Sequence, residues 1–316
     1  MSTLAFAHAR QHQYRYKVRA TRAPGMQLTE RDIAILKAIH RYRVLHRGQI
    51  SEMFWQTATD EGGSARRRLG LLYQHGYLER IPRYINPPMN NPGPAYRLAA
   101  RGAAVLAEQA GEQGSSLHYW GKADDETSHV TTLGHSYLEH ALLLADIRKE
   151  FERKVNDAGC TIETWLDDLD LRKLWKTERV WIQLTPNAPR ENLAIAPDGY
   201  FVLSTPRGRG HFFLEADRGT ETINKQWKRK MLSYAQYLVS GKFHQRYHAA
   251  KSVGFRVLAV IPTEARAKNL HQAAESYVQP RTVSIFLFTT NDLFRRSSLF
   301  SPIWWRGGVE TPQALL

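Results

Sequence analysis

Two acidic residues, Asp198 and Glu215, lie where carboxylates are hard to explain as surface charge. Asp198 follows Pro197 at the start of a strand-like run, and Glu215 follows Phe213 and Leu214. Between them Pro206-Arg207-Gly208-Arg209-Gly210 reads as a turn centred near position 206.5, midway between 198 and 215. A regular hairpin folded about that point sets the two carboxylates opposite each other. Carboxylates among apolar strand residues are costly unless paired, and the pair has two readings. It can hold Mg2+ or Mn2+, hard cations that prefer oxygen ligands, and such an ion activates water and draws charge from a phosphoryl oxygen. Or it is a structural pair, neutralised by Arg218 or by a lysine of the following helix. Geometry alone leaves the two level.

The elements that must position this pair follow from hydrophobic period. A long amphipathic helix within 124–159, with Val130, Leu133, Leu138, Leu142, Ala145 and Phe151 on its apolar side, precedes a strand at 160–166. A charged excursion at 167–176 leads to a short strand at 180–184, and 193–204 with 211–217 form the hairpin. A helix at 220–239, an apolar strand at 255–261, a helix at 263–277 and a strand at 283–288 complete the order. In outline this is α-β-β-β-α-β, an α/β (mixed α+β) core with a mixed sheet. On the helix after the hairpin, Gln226, Lys230 and Tyr234 share a face; they read as ordinary surface and core, or as the lining of the acidic site.

Ahead of this domain, basic charge is concentrated. The chain has 44 Lys+Arg against 30 Asp+Glu, a formal net charge of +14, and residues 1–110 hold 17 basic and 7 acidic side chains. A basic segment joined to a nearly neutral one is the footprint of a polyanion-binding module. Thr29 and Asp32 form a capping box opening a helix with Ile33, Ala34, Leu36 and Ile39 at core spacing. A second helix follows at 49–54 and a third at 64–75, with Arg66, Arg67 and Arg68 near its N-terminus. Strands at 77–81 and 96–98 flank a Pro/Asn-rich tip at 85–94, and 102–109 is a closing helix. Three helices and a hairpin make a winged helix-turn-helix, whose third helix enters the major groove of DNA. Arginine can bond two guanine acceptors at once, whereas phosphates need only cations. Arg66, Arg67 and Arg68 are therefore candidate DNA contacts, at least one of them to phosphate alone. Arg15, Lys17 and Arg19, on a basic arm read as flexible, and Arg83 join them. The plainer alternative is a winged helix for protein contacts with solvated arginines. The expected division is an arm at 1–27, a winged helix at 28–110, a linker at 111–126 and the α/β domain at 127–316.

Composition sets bounds. A hydrophobic fraction of 42% with 8 Trp, 14 Tyr and 12 Phe excludes a mainly disordered chain. The single cysteine, Cys160, excludes an internal disulfide and reads as a buried strand residue in a reduced compartment. No apolar run approaches the ~20 residues of a membrane span, and residues 1–22 lack the apolar core of a signal peptide. A cytoplasmic protein is expected. There is no Walker loop and no His-Glu-x-x-His; His244 and His248, four apart, are a weak metal signal, and Trp304 and Trp305 read as core or interface.

Pro197-Asp198 and Glu215-Ala216-Asp217, within the α-β-β-β-α-β order, resemble the PD-(D/E)xK nuclease superfamily. The first-domain pattern from Leu28-Thr29 through Tyr96-Arg97-Leu98, with Leu214-Glu215-Ala216-Asp217-Arg218-Gly219-Thr220, resembles replication-relaxation proteins, a family that includes plasmid mobilisation relaxases of the MOB-C class. The resemblance implies a PD-(D/E)xK nuclease-like domain behind the winged helix and a metal-dependent DNA nicking activity. It implies Asp198 and Glu215 as ligands of Mg2+ or Mn2+, and Glu139, in Tyr137-Leu138-Glu139-His140, as the acid of the first long helix. It implies double-stranded DNA as partner, beside other DNA-processing or mobilisation proteins. One position departs from the pattern: the lysine expected two residues after Glu215 is Asp217. Strand residues two apart share a face, so Asp217 is expected beside Glu215, adding a ligand or abolishing activity. Lys225 or Lys228 is the candidate replacement cation. No His-hydrophobe-His motif of the tyrosine relaxases is present, so the tyrosines are no evidence for covalent nicking. The competing function is a non-catalytic DNA-binding regulator or relaxosome accessory protein on a degenerate nuclease fold. A protein-interaction adaptor is a third. A homodimer is compatible with the winged helix, although no heptad requires it.

Overall fold

Thr29 opens the first helix of the computed structural model, α1 (Glu30–Tyr42), through a reciprocal cap. Its hydroxyl accepts from the Asp32 N–H at 3.3 Å, and Asp32 Oδ2 accepts from the Thr29 N–H at 2.7 Å. The structure describes residues 19–20, 22–55, 63–81, 93–111, 135–175, 178–250 and 252–315. The chain divides into two compact units, Met1–Arg148 and Lys149–Leu316.

In the first unit, α1 turns Asp32, Ile35, Leu36, Ala38 and Ile39 inward. Leu36 and Ile39 are buried as the spacing predicts and Ile33 is half-buried against the same core, while Ala34 is exposed. β1 (Leu45–His46) leads into α2 (Arg47–Phe54), which His46 caps by accepting from the Gln49 N–H at 3.2 Å. α3 (Gly63–Gln74), β2 (Leu78–Ile81), β3 (Ala95–Leu98) and α4 (Ala100–Gln109) follow. The strands form an antiparallel sheet of order β1-β3-β2, with Leu78 opposite Leu98 and Leu45 opposite Tyr96. Gly102 lets α4 approach β2, because a Cβ there would stand 2.2 Å from the Tyr77 carbonyl oxygen. Ile35, Ile39, Leu45, Ile50, Leu69, Leu72 and Leu98 share the core. Helix α5 (His135–Asp157) contains the division at 148/149 and buries Leu138, Leu142, Ala145 and Phe151. Val130, Leu133, the tip at 85–92 and the linker beyond Gly111 lie outside the described residues.

In the second unit, β4 (Thr161–Asp167), α6 (Asp168–Trp175), β5 (Arg179–Ile182), β6 (Glu191–Ala194), β7 (Gly199–Thr205) and β8 (Gly208–Ala216) come first. A π-helical turn (Ile223–Trp227), α7 (Lys228–Val239), α8 (Lys242–Tyr247), β9 (Phe255–Ile261) and α9 (Glu264–Tyr277) follow. The chain ends with α10 (Pro280–Val283), β10 (Phe286–Thr290), α11 (Asn291–Arg296) and β11 (Trp305–Arg306). Six strands form a mixed sheet of order β11-β10-β9-β8-β7-β4, in which β8, β9 and β10 run parallel. The period of two sorts the hairpin's side chains. Tyr200, Val202 and Phe213 pack with Trp227, Met231, Tyr234 and Tyr237. Phe201 and Phe212 stack at 5.1 Å on the opposite face, with Phe151 5.0 Å from Phe201.

The α/β class stands as expected, with several local corrections. The strand expected at 193–204 is two: β6 pairs with β5 in a separate ladder and β7 joins the main sheet. Pro197, with no N–H to donate, sits in the break. The helix expected from 220 begins at Ile223 with the π turn. The last predicted strand shifts to 286–290 because Pro280 opens α10, a helical turn, ahead of it. Cys160 is half-buried and precedes β4 rather than lying within it. His248 ends α8 in the left-handed region and His244 bonds the Val253 carbonyl oxygen at 2.9 Å, so they do not share a helix face. Trp304 is buried in the core. Among the described residues no helix is long and apolar enough to cross a membrane.

Candidate functional site

The β7–β8 register runs from Thr205 with Gly208 to Gly199 with Leu214 and ends there; Asp198 precedes β7, one residue beyond the last pair. Asp198 then grips the backbone on both sides of Glu215. Its N–H donates to the Leu214 carbonyl oxygen at 3.0 Å, and its Oδ2 accepts from the Ala216 N–H at 2.8 Å.

Glu215 is 1% exposed, and helix α7 supplies both of its side-chain partners. Lys230 Nζ donates to Oε2 at 2.7 Å and the Tyr234 hydroxyl donates to Oε1 at 2.5 Å. These residues are four apart and therefore on one helix face. Lys230 Nζ also lies 2.9 Å from Glu221 Oε2 and 5.3 Å from the centre of the Trp227 ring. Burial pushes the Glu215 carboxyl up to about 7; Lys230 pulls against this and the Asp198 charge adds to it. Burial also works against the Lys230 charge, but Glu215, Asp198 and Glu221 outweigh it and hold the ammonium well above its usual range. The Tyr234 hydroxyl is raised by burial and by Glu215, so it stays a donor.

Asp217, at the expected lysine position, has a separate role. It lies past the end of β8, buried, where Arg266 Nε of α9 donates to Oδ2 and the Gly219 N–H donates to Oδ1 at 2.8 Å. Arg266 also donates to the Glu221 carbonyl oxygen at 2.5 Å. Asp217 thus anchors the exit of β8 to the start of α9.

The helix cation beside Glu215 is Lys230, not Lys225 or Lys228. Lys225 is exposed on the π turn, and Lys228 Nζ lies 5.0 Å from the centre of the Tyr277 ring. Gln226 does not join Lys230 and Tyr234, because its Oε1 accepts from the Thr222 N–H at 2.6 Å. Glu139 lies on the part of α5 that belongs to the first unit. Among the described residues no group of three His, Cys, Asp or Glu is arranged to hold a metal ion. Asp198 and Glu215 remain as two oxygen-donor side chains, a set that suits a hard cation retaining several waters.

In the first unit the three arginines of α3 diverge. Arg66 and Arg67 are exposed. Arg68 turns back onto buried Asp32, donating through Nε to Oδ1 at 2.7 Å, and donates through its Nη2 to the Gln27 carbonyl oxygen, also at 2.7 Å. Burial works to raise the Asp32 carboxyl, yet the bonds from Arg68 and Thr29 hold it below its usual value. Arg19 Nε donates to the Tyr73 carbonyl oxygen at 2.9 Å, and the Ala20 N–H donates to Gln74 Oε1 at 2.6 Å, so the described end of the arm lies along α3. Arg15, Lys17 and Arg83 lie outside the described residues.

No curated protein matches the chain. Among solved structures, the restriction endonuclease FokI is similar at 12% identity with a TM-score of 0.24; the match covers 89% of this chain and 47% of that one. The chain thus spans about half of FokI's length. Residues 36–253 match the family described as Replication-relaxation, and the chain belongs to the replication-relaxation family.

Proposed function

We propose that this chain is a DNA-binding protein of plasmid or mobile-element replication or transfer, and that its second unit nicks DNA with Mg2+ or Mn2+. Family membership supports the setting. The observation that carries the cutting reading is Lys230 Nζ, 2.7 Å from a buried Glu215 whose neighbour Ala216 donates its N–H to Asp198 Oδ2. Two carboxylates and one cation are the groups that a PD-(D/E)xK-type site needs, and here the helix supplies the cation. Asp198 and Glu215 would hold the ion, which when bound supplies charge to a phosphoryl oxygen and an activated water. Lys230 stabilises negative charge on the phosphate, and Tyr234 fixes the orientation of Glu215. The first unit, read as a winged helix, supplies recognition of double-stranded DNA. Its β1-β3-β2 sheet behind three helices and the exposed Arg66 and Arg67 support that reading.

One observation favours the non-catalytic alternative, a DNA-binding regulator or relaxosome accessory protein. Both Glu215 oxygens are already engaged, by Lys230 and Tyr234, as in a self-neutralised buried acid. Nicking of a supercoiled plasmid carrying the native origin region, with Mn2+ or Mg2+, separates the two. Relaxation by the wild type but not by Asp198→Ala or Lys230→Ala is expected. Intact, retarded plasmid with the wild type would establish the binder.

A further inference from the structure

Trp181 is the most exposed large apolar side chain among the described residues, at 58%. Strand β5 alternates: Val180 and Ile182 are buried while Arg179 and Trp181 face out. The indole walls a groove of about 400 Å3 that Arg190, Lys242 and Gln236 also line. A second groove, of about 340 Å3, shares Gln183 and Leu232 with the first and continues to Lys228 and Tyr277. The two form one track along α7. Leu232 and Gln236 each lie two residues beyond Lys230 and Tyr234, roughly 200° around the helix. The track therefore runs on the side of α7 away from Glu215.

Its chemistry is one-sided. The lining carries cations and amides, and none of the described residues lining it is acidic. Arg190 lines the first groove beside Trp181. An aromatic plane stands in each groove, Trp181 in one and Tyr277 in the other. Bases of any sequence stack on such planes while cations follow the backbone. The glutamine amides both donate and accept, as base edges require.

We propose that this track holds a segment of single-stranded nucleic acid, with one base against Trp181, another against Tyr277, and phosphates toward Arg190, Lys242 and Lys228. The charge complementarity is specific to a polyanion, and the volumes suit single bases rather than a duplex. The proposal does not rest on whether Asp198 and Glu215 cut DNA.

The test uses the full chain carrying Arg66→Ala and Arg67→Ala, which removes the exposed cations of α3. Fluorescence anisotropy would follow a labelled oligothymidylate of roughly ten nucleotides, within the usual site size of single-strand binders. Trp181→Ala is expected to weaken binding about tenfold, and Trp181→Phe less than about threefold, since stacking is worth about 1–3 kcal/mol per base. Removing Arg190, Lys242 and Lys228 together should flatten the salt dependence by a slope of about 2. Duplex DNA of equal length should bind Trp181→Ala as it binds the parent. An exposed indole can be removed without opening the core, and an unchanged thermal midpoint would check this. Equal single-strand affinity in Trp181→Ala and the parent would overturn the proposal. So would competition by polyglutamate as effective as that by unlabelled oligothymidylate, which would show a general anion surface.

Discussion

Lys230 Nζ lies 2.7 Å from Glu215 Oε2, so the cation that meets the buried acid comes from the helix after the hairpin and not from the strand itself. Removing one partner of such a pair strands the other's charge. Glu215 is 1% exposed and Lys230 28%, so solvent screens the loss in part. Lys230→Met is expected to cost about 2 kcal/mol at about pH 8, less than the 3–5 kcal/mol of a fully buried pair. Lys230→Met with Glu215→Gln should recover most of it. Urea denaturation of the four proteins closes the cycle, and purely additive costs would show that the two side chains do not interact.

The same acid gives stability a pH dependence. Burial lifts Glu215 from 4.5 to about 7, against Lys230 and with the help of Asp198. The folded chain holds this proton more tightly than the unfolded chain. The stabilisation is therefore fully present below about pH 4.5 and is lost as pH rises through about 7. Relative to Glu215→Gln, the wild type is expected to lose on the order of 3 kcal/mol across that window. Denaturation midpoints of both proteins at several pH values measure the difference. Parallel curves would show that Glu215 is ionised throughout.

Asp217→Lys restores the residue that the nuclease pattern expects, but in this fold it removes the partner of Arg266. Loss of one member of a buried pair typically costs 3–5 kcal/mol, and a drop of about that size is expected, with no gain in nicking. Asp217→Asn should lose less, since it keeps an oxygen for the Gly219 N–H. A stable Asp217→Lys protein with higher activity would show that the site uses this position after all.

Arg66 and Arg67 should behave differently from Arg68. Replacing the exposed pair by alanine is expected to change stability by less than about 0.5 kcal/mol. It should also lower the salt slope of duplex binding by about 1 for each phosphate that is no longer neutralised. Arg68→Ala uncovers the Asp32 carboxylate and should destabilise the first unit by about 1–3 kcal/mol. Melting curves beside gel-shift titrations over a salt series separate the two roles.

The hairpin was legible in the sequence because it is local. Pairing about one turn fixes the facing pairs from Thr205–Gly208 to Gly199–Leu214, which follow by counting, and Asp198 lies one residue beyond them. The capping box of Thr29 and Asp32 is legible for the same reason. Lys230 and Tyr234 are legible as one helix face that could line the acid, and both bond Glu215. What is not legible is the choice of Lys230 over Lys225 or Lys228 as the cation, because it depends on helix phase. An ideal helix begun at 220 misses the π turn at Ile223–Trp227, and one extra residue rotates every later side chain. The partner of Asp217 is illegible too, since Arg266 lies 49 residues away on α9. Nor does local pattern distinguish Arg68 from Arg66 and Arg67. Only the inward turn of Asp32 does so, and that is a property of α1 packed against α3.

The π turn ahead of α7 is a phase setter for two surfaces at once. Each helical residue advances the side-chain direction by 100°, and the wide turn absorbs one residue without lengthening the connection. Lys230 and Tyr234 meet Glu215 while Leu232 and Gln236 wall the Trp181 groove, so any rotation of α7 about its axis moves both surfaces in the same movement. Acid and groove are thus geared together: a change of length in this one turn cannot retune either without disengaging the other.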